Sequence, residues 1–381
     1  MKPLDPEAEV TFAPMDALAD GLGGLDTSRV KPFSEVARGS YNYFREGDIL
    51  LAKVTPCFEN GKKAIAQGLT NGVGYATSEV YVLRPNRGKI EPRFLLYLLC
   101  SEDFRAVAMQ SMTGAGGLRR VSENGVLDYR PKITDLATQK AIAAFLDRET
   151  ARIDGLIETK QRFVALLGEK RSALITAAVT GGIDPLSGQY RTPEAKGGVM
   201  YWGETVRSSL RPLKHCCHVN PAVLPETTDP DWEFDYIDIG SVSLSEGVTC
   251  KERMRFADSP SRARKPVREG DILVSTVRTY LKAIAAIQPA DTPQVASTGF
   301  AVLQAKKGVD TGFLYRVVQS NPFIEQVVAK STGVSYPAIS PSTLSNIKVP
   351  LPDLATQKAI ADFLDRETAR IDRITGKTQQ S

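Results

Sequence analysis

Histidine is nearly missing from this chain: there are two in 381 residues, both in the run His215-Cys216-Cys217-His218. That run lacks the paired Cys-x-x-Cys or His-x-x-x-His spacing of structural zinc sites, so it reads as an ordinary half-buried strand with no metal. Cysteine is scarce too, five in all, odd in number and irregularly placed (Cys57, Cys100, Cys216, Cys217, Cys250), which excludes a disulfide framework and fits reduced thiols. No stretch approaches the roughly 18 consecutive apolar residues of a membrane span, and Met1 to Val10 is polar and acidic, unlike a secretory leader. An unexported, cytoplasmic protein without membrane association is expected. Excess charge is also lacking: a net +4 cannot by itself argue for a nucleic-acid partner, and only a clustered distribution would.

Catalytic signatures are missing as well. Gly376-Lys377-Thr378 resembles the end of a phosphate loop, but the first glycine of that loop would fall on Ile371. Asn220-Pro221-Ala222 and Asn321-Pro322-Phe323 each lack the second proline of the amino-methyltransferase motif, and no glycine-rich cofactor loop accompanies them. No catalytic, cofactor-binding or metal-binding residue is assigned, and the chain is expected not to be an enzyme.

What the chain does have is a duplication. Asp135 to Asp154 recurs at Asp353 to Asp372 with one change, Ala144 against Asp362. Fainter echoes lie at nearly the same offset: Arg45-Glu-Gly-Asp-Ile-Leu50 against Arg268-Glu-Gly-Asp-Ile-Leu273, Lys63-Ala-Ile-Ala66 against Lys282-Ala-Ile-Ala285, and Thr113-Gly114 against Thr332-Gly333. The whole module is therefore doubled, with the globular parts diverged. Ile142, Leu146, Ile153, Ile157, Val164, Leu167, Leu174 and Ala178 form a heptad-like stripe that ends at Gly181-Gly182. The spacing predicts a helix from about Ala137 to Ala178, roughly 60 Å long at 1.5 Å per residue. Its stripe needs a partner, and the second copy is the obvious one.

The expected organisation is a globular domain over 1–134, a helical spacer over 135–182, a linker and second globular domain over 183–352, and a second helical spacer over 353–381. The linker is Ile183 to Gly198. Both globular parts read as mixed α/β: strands at Asp48 to Val54, Val80 to Leu83, Asp271 to Val277 and Phe300 to Leu303, and helical stretches at Pro92 to Met109 and Thr311 to Ala329.

Two pairs of loops suit contact with DNA. In the first copy these are Lys53 to Lys63, with Lys53, Thr55, Asn60, Lys62 and Lys63, and Thr113 to Arg120, with Arg119 and Arg120. In the second they are Thr276 to Lys282, with Arg278, Thr279, Tyr280 and Lys282, and Thr332 to Tyr336, with Ser335 and Tyr336. Lysine and arginine neutralise phosphates, while asparagine, threonine and arginine can read base edges. On residue type alone, any one of these reads equally well as a solvated basic loop.

The order globular region, long helix, globular region, long helix, with Leu136-Ala-Thr-Gln-Lys-Ala-Ile-Ala143 and Leu146-Asp-Arg-Glu-Thr-Ala-Arg-Ile-Asp154 in both copies, resembles the DNA specificity subunit of type I restriction-modification systems. So do Phe44 to Lys62 and Lys170 to Gly181. The resemblance implies two target recognition domains in a pseudo-twofold repeat, each reading half of a bipartite site in double-stranded DNA. The two helices would pack as an antiparallel coiled coil that sets the spacing. It further implies two methyltransferase subunits docked on the helices, which carry S-adenosylmethionine and methylate adenine, and a restriction subunit that uses ATP and Mg to translocate DNA. The competing reading is a helical dimerisation or adaptor scaffold that binds protein. By offset the first copy has no counterpart of Val199 to Val219, and the second helix ends where the first would have reached Phe163, so both ends read as shortened.

Overall fold

The computed structural model describes residues 4–22, 24–115, 117–190 and 210–380. The chain divides into two units, Met1–Leu156 and Ile157–Ser381, and the long helix Leu136–Val179 crosses the boundary. At 44 residues it is two longer than predicted, about 66 Å. The C-terminal helix, Leu354–Gln380, lies wholly in the second unit. No described helix is long and apolar enough to cross a membrane.

Each unit is built around one wholly buried strand. In Ile49–Ala52, Ile49 and Leu51 enter a core with Leu96, Phe104 and Val121, while Leu50 enters another with Leu18, Phe44 and Val80. In Ile272–Ser275 the same alternation sends Ile272 and Val274 one way and Leu273 the other. A strand covered on both faces favours apolar residues in succession, which is why Ile-Leu recurs after Gly-Asp in both copies. Beside it lies a four-stranded sheet, ordered Val30–Pro32, Glu9–Ala13, Val73–Ala76, Asn42–Arg45 in the first unit. In the second unit the order is Glu252–Arg255, Glu233–Ile237, Gln294–Ser297, Ala263–Val267. The central pair is parallel in both. The buried strand's own sheet has three strands in the first unit and four in the second, the extra one being Cys217–Val219. That strand belongs to the segment predicted to lack a counterpart; its residues 199–209 lie outside the described ones.

The repeated Arg-Glu-Gly-Asp is a turn closed by its own aspartate. Asp48 N donates to Arg45 O at 3.1 Å and the Asp48 carboxylate accepts from Arg45 N at 2.9 Å; Asp271 and Arg268 do the same at 3.0 and 3.1 Å. The glycine between them has φ 82° in both, the left-handed conformation this turn requires. The free side of each carboxylate ties down the neighbouring strand, through Arg84 in one unit and Gln304 in the other.

The invariance of the helical segment has a local cause. Asp135 caps its helix by accepting from Ala137 N and Thr138 N, and Asp353 caps the other by accepting from Thr356 N. These contacts hold both carboxyls below the usual range: for Asp135 chiefly through the Thr138 hydroxyl, for Asp353 chiefly through the Thr356 N–H. One turn on, the buried amide of Gln139 accepts from Glu91 N at 2.9 Å and donates to the carbonyls of Lys89 and Thr134. Gln357 repeats this with Asp310 N, Gly308 O and Pro352 O. Ala143 and Ala361 are both buried, whereas Ala144 and Asp362, the one difference, are both exposed. The repeated residues thus fasten each helix to its own unit.

A compensated exchange follows in the next turn. Asp147 is held by Arg93 and by the Tyr97 hydroxyl at 2.7 Å. By register from Glu91 and Asp310, Arg93 corresponds to Gly312 and Tyr97 to Arg316, and Arg316 takes over, reaching Asp365 at 2.7 Å and Thr368 at 3.2 Å. The ion pair is kept while its arginine moves one turn along the packing helix.

Two expectations need correction. The helices predicted at 92–109 and 311–329 are each broken in two, into Pro92–Leu98 with Glu102–Gln110 and Thr311–Gln319 with Asn321–Ala329. Ser101 caps the second piece of one, and Pro322 can donate no helical N–H in the other. The heptad stripe is covered only in part. Leu167, Leu174 and Ala178 share a core with Ile360, Leu364 and Ile371 of the C-terminal helix, and Arg171 reaches Asp372 at 3.5 Å. Ile153 and Ile157, however, are 49% and 48% exposed.

A buried lysine yields a pH prediction. Lys265 donates to Asn220 Oδ1 at 2.9 Å and to the Phe300 carbonyl, and burial pushes its amine down to about 8. Between pH 8 and the unfolded value near 10.4 the unfolded chain binds more protons than the folded one, so stability rises with pH there. Urea unfolding of the second unit should show roughly 1–3 kcal/mol more stability at about pH 9.5 than at about 7.5. Lys265→Met should flatten that rise.

Candidate nucleic-acid interface

In the first unit, Thr113–Ala115 and Leu118–Arg120 form a hairpin, Thr113 opposite Arg120. The hairpin is laid on the chain that leaves the buried strand: Thr55 N donates to Arg119 O at 2.9 Å and Val121 N to Lys53 O at 2.9 Å. On the far side Lys53 N donates to Glu79 O at 3.0 Å. The two loops picked out in the sequence therefore form one platform.

The second unit repeats the platform bond for bond. Arg278 N donates to Pro337 O, Ile339 N to Thr276 O, and Thr276 N to Gly299 O, all at 2.8 Å. The register makes Arg120 equivalent to Ala338, Leu118 to Tyr336, Thr55 to Arg278 and Glu79 to Gly299. Both hairpins need a glycine at the second position. Gly114 has φ 135°, and a Cβ there would lie 2.3 Å from Leu118 O; Gly333 has φ 107°, with the corresponding approach to Tyr336 O at 3.1 Å.

Several predicted contact residues face inward. Lys63 is 7% exposed within the strand Lys63–Ile65, and the neighbouring Lys62 is spent on the Leu18 carbonyl at 2.6 Å and on Asp20 at 3.6 Å. Thr55 is buried, its hydroxyl donating to Gly117 O and accepting from Arg119 N. Thr279 is buried against the Ser331 hydroxyl at 2.9 Å. Thr55 and Thr279 hold their platforms together, while Lys62 is engaged elsewhere in its unit and Lys63 is buried in its strand. Lysine and threonine look alike in a loop whether they face in or out, so residue type alone does not give their orientation.

The remaining candidates are accessible. Asn60, Arg119, Arg120, Arg278, Tyr280, Lys282, Ser335 and Tyr336 are exposed, and Lys53 is half-buried with its ammonium 5.2 Å from the Tyr81 ring. Arg278 has the uncommon φ of 48° and sets its guanidinium 4.7 Å from the Tyr336 ring centre, so two predicted residues act as one stacked pair. Arg120 is held side-on by Glu79, Nε to Oε2 at 3.0 Å and Nη2 to Oε1 at 2.9 Å. That pairing lowers the Glu79 pKa and raises that of Arg120. Glu79 was not among the predicted residues. Leu118 and Val334, also outside the predicted set, are apolar and exposed near the hairpin tips.

The His215 to His218 run splits by side. Cys216 and Cys217 are buried, their thiols pushed up to about 11 and about 12 by burial, while both histidines are exposed. Among the described residues no group of three or more His, Cys, Asp or Glu is placed to hold a metal.

Residues 261–380 match the family model described as the type I restriction modification DNA specificity domain. The chain is 37% identical over 125 residues to the type I restriction enzyme EcoEI specificity subunit of Escherichia coli, covering 33% of this chain and 21% of that one. To the EcoAI specificity subunit, also of Escherichia coli, it is 38% identical over 131 residues, 33% of this chain and 22% of the other. These curated relatives are thus matched over about a fifth of their length. A longer match, to the putative MjaX specificity subunit of Methanocaldococcus jannaschii, is 24% identical and covers 84% of this chain and 71% of that one. Among solved structures, a chain described for complex assembly and conformational transition of the type I R-M system superposes with a TM-score of 0.66 at 17% identity, over 98% of this chain and 87% of that one. The HsdS subunit from Thermoanaerobacter tengcongensis superposes with a TM-score of 0.54 at 17% identity, over 98% and 88%.

Proposed function

Because residues 261–380 belong to the type I restriction modification DNA specificity domain family, and the fold of the chain is that of solved type I subunits, we propose that this protein is the DNA sequence-recognition subunit of a type I restriction-modification complex. Each platform reads one half of a bipartite target, and the helices set the spacing and dock two methyltransferase subunits. The chain catalyses nothing; S-adenosylmethionine, ATP and Mg act in the methyltransferase and restriction subunits.

The observation that carries the reading is the contrast between the platforms. Their backbone hydrogen bonds coincide, yet side chains at equivalent positions differ: Leu118 and Arg120 of the first stand where the second has Tyr336 and Ala338. A shared scaffold with exchanged side chains is what two readers of unlike sequences require, since phosphate contacts position and base contacts specify. Copurification with the neighbour-encoded methyltransferase, followed by band shifts on duplexes with two separated half-sites, tests it. Absence of any bipartite preference would refute it.

The hairpin glycines supply a unit-specific test. Gly114→Ala puts a side chain against the Leu118 carbonyl at a backbone cost of about 1–3 kcal/mol. Preference for one half-site should fall at least about tenfold, a cost of roughly 1.4 kcal/mol, with the other half unchanged. Gly333→Ala, whose Cβ has more room, should act more weakly and on the other half.

A further inference from the structure

Glu79 is a carboxylate beside two cations, Arg120, which it bonds, and Lys53, close enough to lower its pKa. If these cations only gathered phosphates, the carboxylate would cost affinity, so its place calls for a reason. Its oxygens engage Nε and Nη2 of Arg120, and the guanidinium makes no other hydrogen bond among the described residues. A guanidinium has five N–H donors in a planar fork. With the Nε side occupied, the end-on edge, formed by Nη1 and the outer hydrogen of Nη2, is left free and held in one orientation. That edge matches the two acceptors, O6 and N7, that guanine shows in the major groove.

Charge argues the same way. A carboxylate about 3 Å from the guanidinium nearly cancels its net charge, which removes the counterion-release gain of a phosphate contact and repels an approaching phosphate. A guanine edge carries no charge and suffers neither loss. The second unit gives an internal comparison: both partners are replaced together, Arg120 by Ala338 and Glu79 by Gly299. A Cβ at residue 299 would lie 2.3 Å from Ile239 Cδ1, so Ile239 occupies the space beside that position, and the exposed cation of this unit's platform is Arg278, stacked on Tyr336.

We infer that Glu79 is a specificity-determining positioning residue of the first unit: it presents the end-on edge of Arg120 to a guanine in one half-site and keeps Arg120 off the phosphate backbone. The inference rests on the DNA-reading function proposed above. The full chain, copurified with its methyltransferase, selects bound duplexes from a randomised library, alongside Glu79→Ala, Glu79→Gln and Arg120→Ala. The wild type should enrich a two-part motif with a G·C pair that Arg120→Ala reduces to near indifference. Glu79→Ala should lose preference at that same pair at least about tenfold, Glu79→Gln less because one acceptor oxygen remains, and the other half should be unaffected. Binding of Glu79→Ala to non-specific duplex should strengthen and its logarithmic salt slope steepen by about 0.9, one added phosphate contact. Gain of non-specific binding with loss of preference is a combination that a misfolded variant cannot produce. A wild-type motif that survives Glu79→Ala unchanged, or a uniform weakening on all DNA, overturns the inference alone. A wild type that enriches no two-part motif overturns the DNA-reading function and this inference with it.

Discussion

Gln139→Leu should unfold the first unit under conditions where the second stays native, and Gln357→Leu should do the reverse. Each amide is buried and satisfies three backbone groups at once: one N–H at the start of the packing helix, one carbonyl just before that helix, and one just before the helix that carries the amide. Leucine fills the volume but leaves all three without a partner. At about 1–3 kcal/mol for each stranded group, relieved in part by water, the loss is roughly 2–5 kcal/mol. That is a large share of the 5–15 kcal/mol typical of a domain. Amide hydrogen exchange resolved by segment measures it: exchange should rise across the first unit for one variant and across the second for the other. Equal rises in both units would mean that the repeated helix stabilises the chain as a whole, against the local fastening described here.

That fastening also explains what the sequence made legible. Architecture was readable because the residues that set it recur: Asp135, Thr138, Gln139 and Asp147 do the work of Asp353, Thr356, Gln357 and Asp365. The repeated segment was expected to have its apolar stripe covered by the second copy. Its invariant side chains in fact bond to their own units, and Ile153 and Ile157 of the stripe stand half exposed. Periodicity reports which positions are apolar, not what covers them. The loops were legible as a pair of places but not as side chains. Thr55, Lys62 and Thr279 are drawn in by internal hydrogen bonds of the segments that carry them, and Lys63 by its buried strand. Such bonds join residues as much as 64 positions apart, as between Thr55 and Arg119, and no local pattern encodes them. Glu79 was invisible for a related reason: its meaning comes from Arg120, 41 residues away.

The largest functional effect should come from lengthening the long helix near Ala151, where it is exposed. Residues 151–159 are all exposed, so an insertion near Ala151 disturbs neither the Gln139 lock nor the core around Leu174. Four residues of good helix formers add about 6 Å along the axis and turn everything beyond them by about 40°, since four residues slightly exceed one turn of 3.6. Six ångströms is close to two base pairs at roughly 3.4 Å each. If the helix sets the distance between half-sites, the variant should abandon the wild-type spacing and prefer a target about two base pairs longer, with both half-site sequences unchanged. A twist of about 40° is close to the rotation of one base pair in a duplex of 10–10.5 base pairs per turn, so the preference should broaden as it lengthens. Methylation or band-shift assays on duplexes that differ only in spacer length read this directly. A variant that folds, keeps both half-sites and still prefers the original spacing would remove the helix from the role of ruler, while leaving the two reading platforms intact.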